Sequence, residues 1–211
     1  PRYVNENCTC CGDCAVASQT EIDSEFDFGM KKVKGAYLPF EMAFPARFVI
    51  SPQIIGSDDA QRCKEACKYD AVDLDMEAKT LKFNVGSIVW ATGWEPYDAT
   101  KIDNLGFGQH PNIITNMMME RLASPSGPTQ GKILRPSDDK EPGSVAFVQC
   151  AGSRDENHLP FCSYICCMAS LKQATYVRER YPEAKIYIFY IDMRAPGYRY
   201  ERFYENIKQD E

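Results

Sequence analysis

The chain has 211 residues, of which 44% are hydrophobic and 26% are charged, so it is long enough for one large or two small globular domains. Its net charge of −6, with no basic cluster, argues against nucleic acid as a partner. Two histidines leave little scope for histidine-centred catalysis or metal binding.

The cysteine content points to metal or redox chemistry. There are ten cysteines, no signal peptide and no apolar run of the roughly 18 residues that a membrane span needs. Such a chain is expected in a reducing, cytoplasmic compartment, where disulfide frameworks are rare. It opens with Pro-Arg-Tyr-Val and reaches a cysteine cluster almost at once, so we expect it to be cut from within a longer protein.

The first cysteine run organises the chain. Cys8, Cys11 and Cys14 have the C-x2-C-x2-C spacing of a bacterial ferredoxin, in which such a run holds one face of a [4Fe–4S] cluster. The fourth cysteine of that run serves the other cluster of a two-cluster protein, and here Ser18 stands in its place. The run therefore predicts that one of two clusters is kept.

The matching second run lies further along the chain. Its four ligand positions are occupied by Ser57, Ala60, Cys63 and Cys67. Because the last cysteine of the second run completes the cluster of the first, the predicted [4Fe–4S] ligands are Cys8, Cys11, Cys14 and Cys67. The other ligand set, Ser18, Ser57, Ala60 and Cys63, keeps a single thiol, so we predict that its cluster is lost and that Cys10 and Cys63 are not ligands. Cysteine at positions 18, 57 and 60 would then rebuild this second cluster site.

Three other interpretations of these cysteines stay open. The pairs Cys11-x2-Cys14 and Cys63-x3-Cys67 resemble the knuckles of zinc ribbons. The cysteines could also form disulfides, or remain free thiols that pack as small apolar side chains. Three cysteines in ferredoxin register, with a second run in the matching frame, favour the iron–sulfur interpretation.

A ferredoxin-like α+β module is predicted around this site. Residues 21–27 have the composition of a solvated acidic loop, with Lys31, Lys32 and Lys34 on the same surface. Residues 47–50 and 71–75 are predicted to be paired strands. A helix over residues 58–67 would join them and return Cys67 to the first cysteine run.

The apolar stretch that follows resembles part of a flavin site. Residues 81–85 alternate in polarity as a half-buried strand does, and residues 87–94 form a second apolar strand containing Ala91, Thr92 and Gly93. A strand followed by Ala-Thr-Gly resembles a short motif of flavoproteins with two dinucleotide-binding domains. In those proteins the small residues let the backbone turn beside the flavin nucleotide. A core strand that ends in a turn glycine is the alternative.

The last part of the chain has the pattern of a Rossmann-like lobe. Thr115 is predicted to cap a helix over residues 116–122, and residues 124–142, rich in proline and glycine, to form a surface connection. The later predicted elements are a strand over 145–149, a helix over 162–181, a strand over 185–192 and a helix over 198–208. A long helix between two strands implies a parallel crossover. The turn after the first strand lacks G-x-G-x-x-G, so we predict no NAD(P)H binding.

A second cysteine constellation stands where the phosphate-binding turn would be. Its members are Cys150, Cys162, Cys166 and Cys167. Cys162 and Cys166 are one helical turn apart and share a face of the predicted helix, while Cys150 ends the neighbouring strand. The partial positive charge of a helix start favours thiolates, so this set is a candidate second cluster site. A vicinal disulfide and structural zinc are the alternatives.

Together these motifs resemble the family of heterodisulfide reductase A subunits, above all in the runs at residues 149–155 and 162–168. The resemblance implies a fragment of a thioredoxin-reductase-like α/β flavoprotein with two dinucleotide-binding domains and an α+β ferredoxin-like insert. FAD would be bound mainly upstream of Pro1, with residues 91–93 contributing, and both cysteine sets would be metal ligands. The predicted loss of the second insert cluster departs from the pattern of the methanogen proteins. In this respect the chain is more similar to the A subunit of the quinone-interacting membrane-bound oxidoreductase of sulfate reducers.

The predicted domains are an iron–sulfur module (1–78), the end of an FAD-binding domain (79–123), a connection (124–143) and the start of a Rossmann-like lobe (144–211). The predicted function is electron transfer between FAD and [4Fe–4S] clusters within a heterodisulfide-reductase-like oxidoreductase complex. No residue is a candidate general acid or base, and the chain alone is expected to be inactive. Its partners would be other subunits, including a membrane-bound one. The alternative is a zinc-stabilised subunit-docking module without a redox role.

Overall fold

Short strands and two helices build the first of two units. The computed structural model describes residues 1–209, and its packing separates Pro1–Thr92 from the chain that begins at Gly93. The four predicted domains stay a prediction. The elements of the first unit are α1 (Asp13–Ala17), β1 (Glu21–Asp23), β2 (Lys32–Lys34), β3 (Ala36–Tyr37), β4 (Val49–Ile50) and α2 (Asp58–Glu65).

Strands β1 and β2 form an antiparallel hairpin that joins the acidic stretch to the lysine segment after it. Ion pairs cross it from Lys34 to Glu21 at 3.0 Å and from Lys32 to Asp23 at 2.7 Å. The shared surface of these lysines and acids is confirmed, but the predicted loop is wrong at β1. The sequence does not predict this strand because Ile22 is its only buried residue. Its alternation of polar and apolar residues is therefore too short to detect.

Strand β4 pairs antiparallel with β3, and its predicted direct pairing with residues 71–75 is wrong. The N-terminal segment lies between them instead. The Ile50 N–H donates to the Arg2 carbonyl oxygen at 3.1 Å, and Val4 forms an antiparallel bridge with Val72. This arrangement holds the start of the chain beside the segment that follows Cys67.

Helix α2 begins as its sequence predicts and ends slightly earlier. The Ser57 hydroxyl oxygen accepts a hydrogen bond from the Ala60 N–H at 3.4 Å and so caps the helix. The helix ends at Glu65, which leaves Cys67 just beyond it. The core that α2 covers is made of buried small and branched side chains, among them Ala36, Ile50, Ala60, Cys63 and Val72.

The apolar stretch at residues 81–94 does not form the two predicted strands. All of it is exposed, and Val89 and Trp90 keep 88% and 80% of their accessible surface. The prediction is wrong here because a strand needs a hydrogen-bonding neighbour and its apolar face needs a covering layer. Within residues 1–209 neither is present at this segment.

The second unit contains a strand–helix–strand crossover. Its elements are α3 (Asn116–Ala123), β5 (Ser144–Val148), α4 (Cys166–Arg180), β6 (Lys185–Phe189) and α5 (Tyr200–Lys208). Strands β5 and β6 are parallel, with Ser144 opposite Lys185 and Val148 opposite Phe189, which confirms the predicted parallel pairing. No helix among residues 1–209 combines the length and the apolarity needed to cross a membrane.

Helices α3 and α4 pack together beside the two-stranded sheet. The Thr115 hydroxyl accepts a hydrogen bond from the Met118 N–H at 3.3 Å, which confirms the predicted cap of α3. Val177 and Met119 lie in the shared core, and so does Ile133. The predicted surface connection over 124–142 is therefore wrong at Ile133, whose side chain is needed to fill this core.

Candidate metal centres

The first candidate centre is a cavity in unit 1 that we call the first cysteine cavity. The structure brings all four predicted ligands to its wall, namely Cys8, Cys11, Cys14 and Cys67. The rest of the wall is largely apolar and includes Val4, Phe48, Ala71 and Val72. Two segments that are far apart in sequence therefore present four thiols to one enclosed space.

Local structure explains how these four thiols meet. Gly12 adopts a left-handed backbone conformation (φ +87°) just before α1, and this turn separates Cys11 from Cys14. Cys67 lies just past the end of α2, and its Sγ accepts a hydrogen bond from the Ala71 N–H at 3.3 Å. Backbone hydrogen bonds to sulfur are one way in which a protein adjusts a bound iron–sulfur cluster.

The electrostatic environment of Cys14 reflects its burial among thiols. Burial, together with the neighbouring Cys63 and Cys8 thiols, raises the pKa of the Cys14 thiol to about 12. The thiol therefore carries a proton at neutral pH until a cation displaces it.

The two cysteines predicted not to be ligands lie outside the wall of this cavity. Cys63 is fully buried, and its Sγ lies 3.4 Å from the Cys14 carbonyl oxygen as a hydrogen-bond donor. Cys10 has a left-handed backbone (φ +60°) in the loop between Cys8 and Cys11. Cys63 thus supports the backbone of a candidate ligand without facing the cavity.

Polar and aliphatic side chains fill the region where the sequence predicts that the second insert cluster is absent. The Ser18 hydroxyl donates to Asp59 Oδ2 at 2.8 Å and accepts from the Gly35 N–H at 3.0 Å. Asp59 is 4% exposed and also accepts from the Gln19 N–H at 2.8 Å. A Cβ atom at position 35 would lie 2.7 Å from Ile54 Cδ1, so the Ile54 side chain would have to shift to admit any residue other than glycine.

The second candidate centre is a cavity in unit 2 that we call the second cysteine cavity. It is lined by all four members of the second constellation, namely Cys150, Cys162, Cys166 and Cys167. Cys150 follows β5, and Cys166 and Cys167 open α4. The predicted helix is wrong at Cys162, which lies in the loop before α4. The N-terminus of α4 has no side-chain cap, so its free N–H groups lie next to the cysteines.

Neighbouring thiols and backbone N–H groups surround Cys167. Burial raises the pKa of the Cys167 thiol, and the nearby thiols of Cys150, Cys166 and Cys162 add to this effect. In the opposite direction, the Arg194 N–H donates to Cys167 Sγ at 3.4 Å and lowers that pKa. All four thiols of the second set are therefore close enough to interact electrostatically.

The zinc and disulfide alternatives make different demands on the geometry of the two sets. All ten cysteines are free thiols in the structure. Tetrahedral zinc with bonds of about 2.3 Å to sulfur brings its ligand sulfurs to about 3.8 Å from one another. Within residues 1–209, no three Cys, His, Asp or Glu side chains are arranged to hold a single metal ion. A [4Fe–4S] cluster accepts wider spacing because each thiolate binds a different iron atom.

Comparison with known proteins places these cavities in a family context. No family model matches the chain. It is 44% identical over 211 residues to the second iron–sulfur A subunit of the CoB–CoM heterodisulfide reductase of Methanopyrus kandleri, covering 99% of this chain and 32% of that protein. It is 40% identical over 214 residues to the corresponding A subunit from Methanocaldococcus jannaschii, with the same coverage. The chain is a homologue of the heterodisulfide reductase A subunits.

A third relative is the A subunit of the H2/formate:CoB–CoM heterodisulfide, ferredoxin reductase of Methanococcus maripaludis, 42% identical over 213 residues and covering 99% of this chain and 32% of that protein. The chain therefore spans about a third of the length of these heterodisulfide reductase A subunits. The predicted resemblance to these A subunits is confirmed along nearly the whole chain, and the finer resemblance to the quinone-interacting oxidoreductase stays a prediction. Both cysteine cavities lie within the region of similarity.

The predicted flavin-side residues are not part of either cavity. Ala91, Thr92 and Gly93 lie at the end of the exposed stretch and line neither cysteine cavity. Gly93 has φ +72°, the left-handed conformation in which glycine is favoured. Their role in binding FAD stays a prediction.

The sequence motifs did not predict the charged residues at the two sites. Arg154, Asp192 and Arg194 line the second cysteine cavity, and Asp59 fills the region of the lost cluster. None belongs to a recognised ligand motif. The only available signal was position, because Arg154 follows the turn after β5 and Asp192 and Arg194 follow β6, and the carboxyl ends of neighbouring parallel strands meet at one edge of a sheet.

Proposed function

We propose that this chain is an electron-transfer segment of a flavin and iron–sulfur oxidoreductase subunit, with [4Fe–4S] clusters at its two cysteine cavities. The observation that carries the proposal is that eight of the ten cysteines are divided between two cavities, four free thiols lining each. Four cysteine thiolates are the ligand set of a [4Fe–4S] cluster. The homology to iron–sulfur subunits of heterodisulfide reductases supports this assignment.

At the first cysteine cavity, Cys8, Cys11, Cys14 and Cys67 would hold the cluster, which supplies one-electron chemistry when bound. The chain itself contributes three effects. The thiols ligate after losing their protons, the Ala71 N–H donates to Cys67 Sγ, and apolar side chains such as Phe48 limit the access of water. Burial and hydrogen bonds to sulfur are the means by which a protein adjusts such a centre.

At the second cysteine cavity, Cys150, Cys162, Cys166 and Cys167 would be the ligands. The uncapped N-terminus of α4 lies beside them and favours negative charge. The Tyr164 N–H donates to Cys162 Sγ at 3.4 Å, which adds to the bond that Arg194 makes with Cys167. The site is thus prepared for a group with anionic ligands.

The flavin and the partners are further parts of this proposal. The Ala91-Thr92-Gly93 motif supports a contact with FAD, and the resemblance assigns most of the FAD site to sequence upstream of Pro1. The names of the relatives describe subunits of reductases, which supports other redox subunits as partners. A membrane-bound partner and a cytoplasmic location belong to the same proposal. The segment is expected to lack catalytic activity by itself.

Metal analysis of anaerobically purified protein tests the proposal. We expect brown protein with about eight iron and eight sulfide atoms per chain, four for each cluster. Cys67→Ala should lose about half of the iron, and Cys150→Ala the other half. Cys10→Ala is the matched control because Cys10 lies in the same run without facing the cavity, and its iron content should be unchanged. Colourless protein with stoichiometric zinc would instead establish the docking-module alternative.

A further inference from the structure

Two guanidinium groups share one carboxylate at the wall of the second cysteine cavity. Arg154 Nη1 donates to Asp192 Oδ1, and Arg194 Nε donates to Asp192 Oδ2 at 3.2 Å. All three side chains line the cavity together with the four cysteines. We call this arrangement the arginine clamp. Its two cations and one anion leave one net positive charge beside the thiols.

The arginine clamp lies at the same cavity wall as the four cysteines. The pKa of Arg194 is raised mainly by its hydrogen bond with Asp192 and to a lesser degree by its interaction with the Cys162 thiol. The pKa of Arg154 is likewise raised first by Asp192 and last by its interaction with the Cys150 thiol. Asp192 therefore holds both cations at the wall that carries the candidate ligands.

The first cysteine cavity has no equivalent of this clamp. Its charged wall residue is Asp13, an anion that is paired with Lys68 at 3.1 Å. The Asp13–Lys68 pair carries no net charge, so the second cavity has one more positive charge beside its thiols than the first. One-electron reduction adds a negative charge to a cluster, so a nearby cation favours the reduced form and a nearby anion opposes it.

We propose that Arg154 and Arg194, held by Asp192, are positioning residues that raise the reduction potential of the second site above that of the first. This inference rests on the proposed function, since it needs a cluster at the second site. The step concerned is the addition of one electron, with dithionite as the donor in the test below, and no bond forms or breaks. The expected gradient favours electrons at the second site.

A potentiometric titration of the complete subunit, followed by electron paramagnetic resonance under anaerobic conditions, tests the proposal. The signal of the second site is identified as the one that Cys150→Ala removes. Arg194→Gln should shift the one-electron equilibrium of that site about tenfold or more toward its oxidised form. That change lowers the midpoint potential of its signal by about 59 mV or more. Arg194→Lys keeps the charge and should restore most of the shift.

Lys185→Gln is the matched control because it removes the same charge from the same sheet. Lys185 begins β6, and Cys150 follows the opposite end of β5, so strand geometry separates them by roughly 17 Å. That distance is about twice the screening length at physiological ionic strength, so the control should not shift the potential.

Three outcomes would overturn the inference. An unchanged potential in Arg194→Gln with full iron content contradicts the clamp while leaving the proposed function intact. Loss of iron in the Gln and Lys variants of both Arg154 and Arg194 would show that the arginines hold the ligand loop together without setting the potential. Absence of any signal that depends on Cys150 would remove the second cluster, and with it both proposals.

Discussion

Asp59 is the residue that most clearly compensates for the missing thiols of the insert. Burial alone would raise the pKa of Asp59, but hydrogen bonds from the Gln19 N–H, the Ser18 hydroxyl and Thr20 together lower it below its usual range. Arg62 Nη2 also donates to Asp59 Oδ1 at 2.8 Å. The ionised carboxylate therefore connects α2 to the segment after α1, a connection that a cluster would make in a two-cluster ferredoxin.

Replacing Asp59 by asparagine should destabilise the chain by about 2 kcal/mol at pH 7, the typical worth of hydrogen bonds to a charged group. Urea unfolding under anaerobic conditions measures this change. Because the folded pKa of Asp59 is lowered, its contribution is complete above the ordinary carboxyl pKa of about 3.9 and is lost as the pH falls through the folded value. The difference between wild type and variant should therefore narrow below about pH 4.

Asp58→Asn provides the control for this experiment. Asp58 is exposed in the same first turn of α2, so its loss removes the same charge and the same interaction with the helix dipole. We expect a cost of only about 0.5 kcal/mol for that change. Equal costs for the two substitutions would show that the buried hydrogen bonds of Asp59 contribute nothing.

At the level of elements, the start of α2 shows that side chains fill the region where the second insert cluster is predicted to be absent. Ser57 caps the helix, and its hydroxyl also donates to the Ile54 carbonyl oxygen at 2.6 Å. Ala60 is fully buried beneath it. The helix is therefore stabilised by the residues that stand at the former ligand positions, and the space between α1 and α2 is occupied.

This packing changes the expected result of restoring the three cysteines. The combined substitutions Ser18→Cys, Ser57→Cys and Ala60→Cys remove the helix cap and a hydrogen bond to Asp59, while the carboxylate stays in place. We therefore expect the triple variant to bind no additional iron, although spacing alone predicts a second cluster. Iron and sulfide analysis beside the wild type measures this. A gain of about four iron atoms per chain would show that the space can still open for a cluster.

For the molecule as a whole, the end of the first unit differs from the rest of it. The side chains of its core are buried, whereas residues 81–94, which run from this unit into the start of the second, expose large apolar side chains to solvent. In residues 1–209, no backbone hydrogen bond involves an amide of this stretch. The stretch has the composition of a strand, and among residues 1–209 no neighbouring strand pairs with it. The chain spans about a third of the length of its curated relatives.

Hydrogen exchange should distinguish this stretch from the folded units. In the 211-residue chain, the amides of residues 81–94 should exchange at rates close to those of an unfolded peptide, while the amides of α4 are protected. In the complete subunit the same amides should become protected, because a neighbouring strand would then accept their hydrogen bonds. Mass spectrometry of both samples measures this. Equal exchange in the two samples would contradict the assignment of residues 79–123 to a larger flavin-binding domain.

The number of residues between motif positions along the chain made several features of this protein predictable from its sequence. The intervals between Cys8, Cys11 and Cys14 and the position of Cys67 are local or follow a known register, so the four-thiol cavity could be predicted. The crossover of β5, α4 and β6 could also be predicted, since a buried helix between apolar strands has few packing solutions. The cap of α3 by Thr115 is likewise a local signal.

The remaining features were decided by contacts between residues distant in sequence. Pairing of β4 with β3, burial of Ile133 and the position of Asp59 depend on which segments meet in space, and neither periodicity nor spacing records this. The same is true of Arg154 and Arg194, which only Asp192 joins at the second cavity. A sequence specifies its turns, caps and ligand intervals through short-range geometry, whereas the charge around a site is fixed only when separate elements pack together.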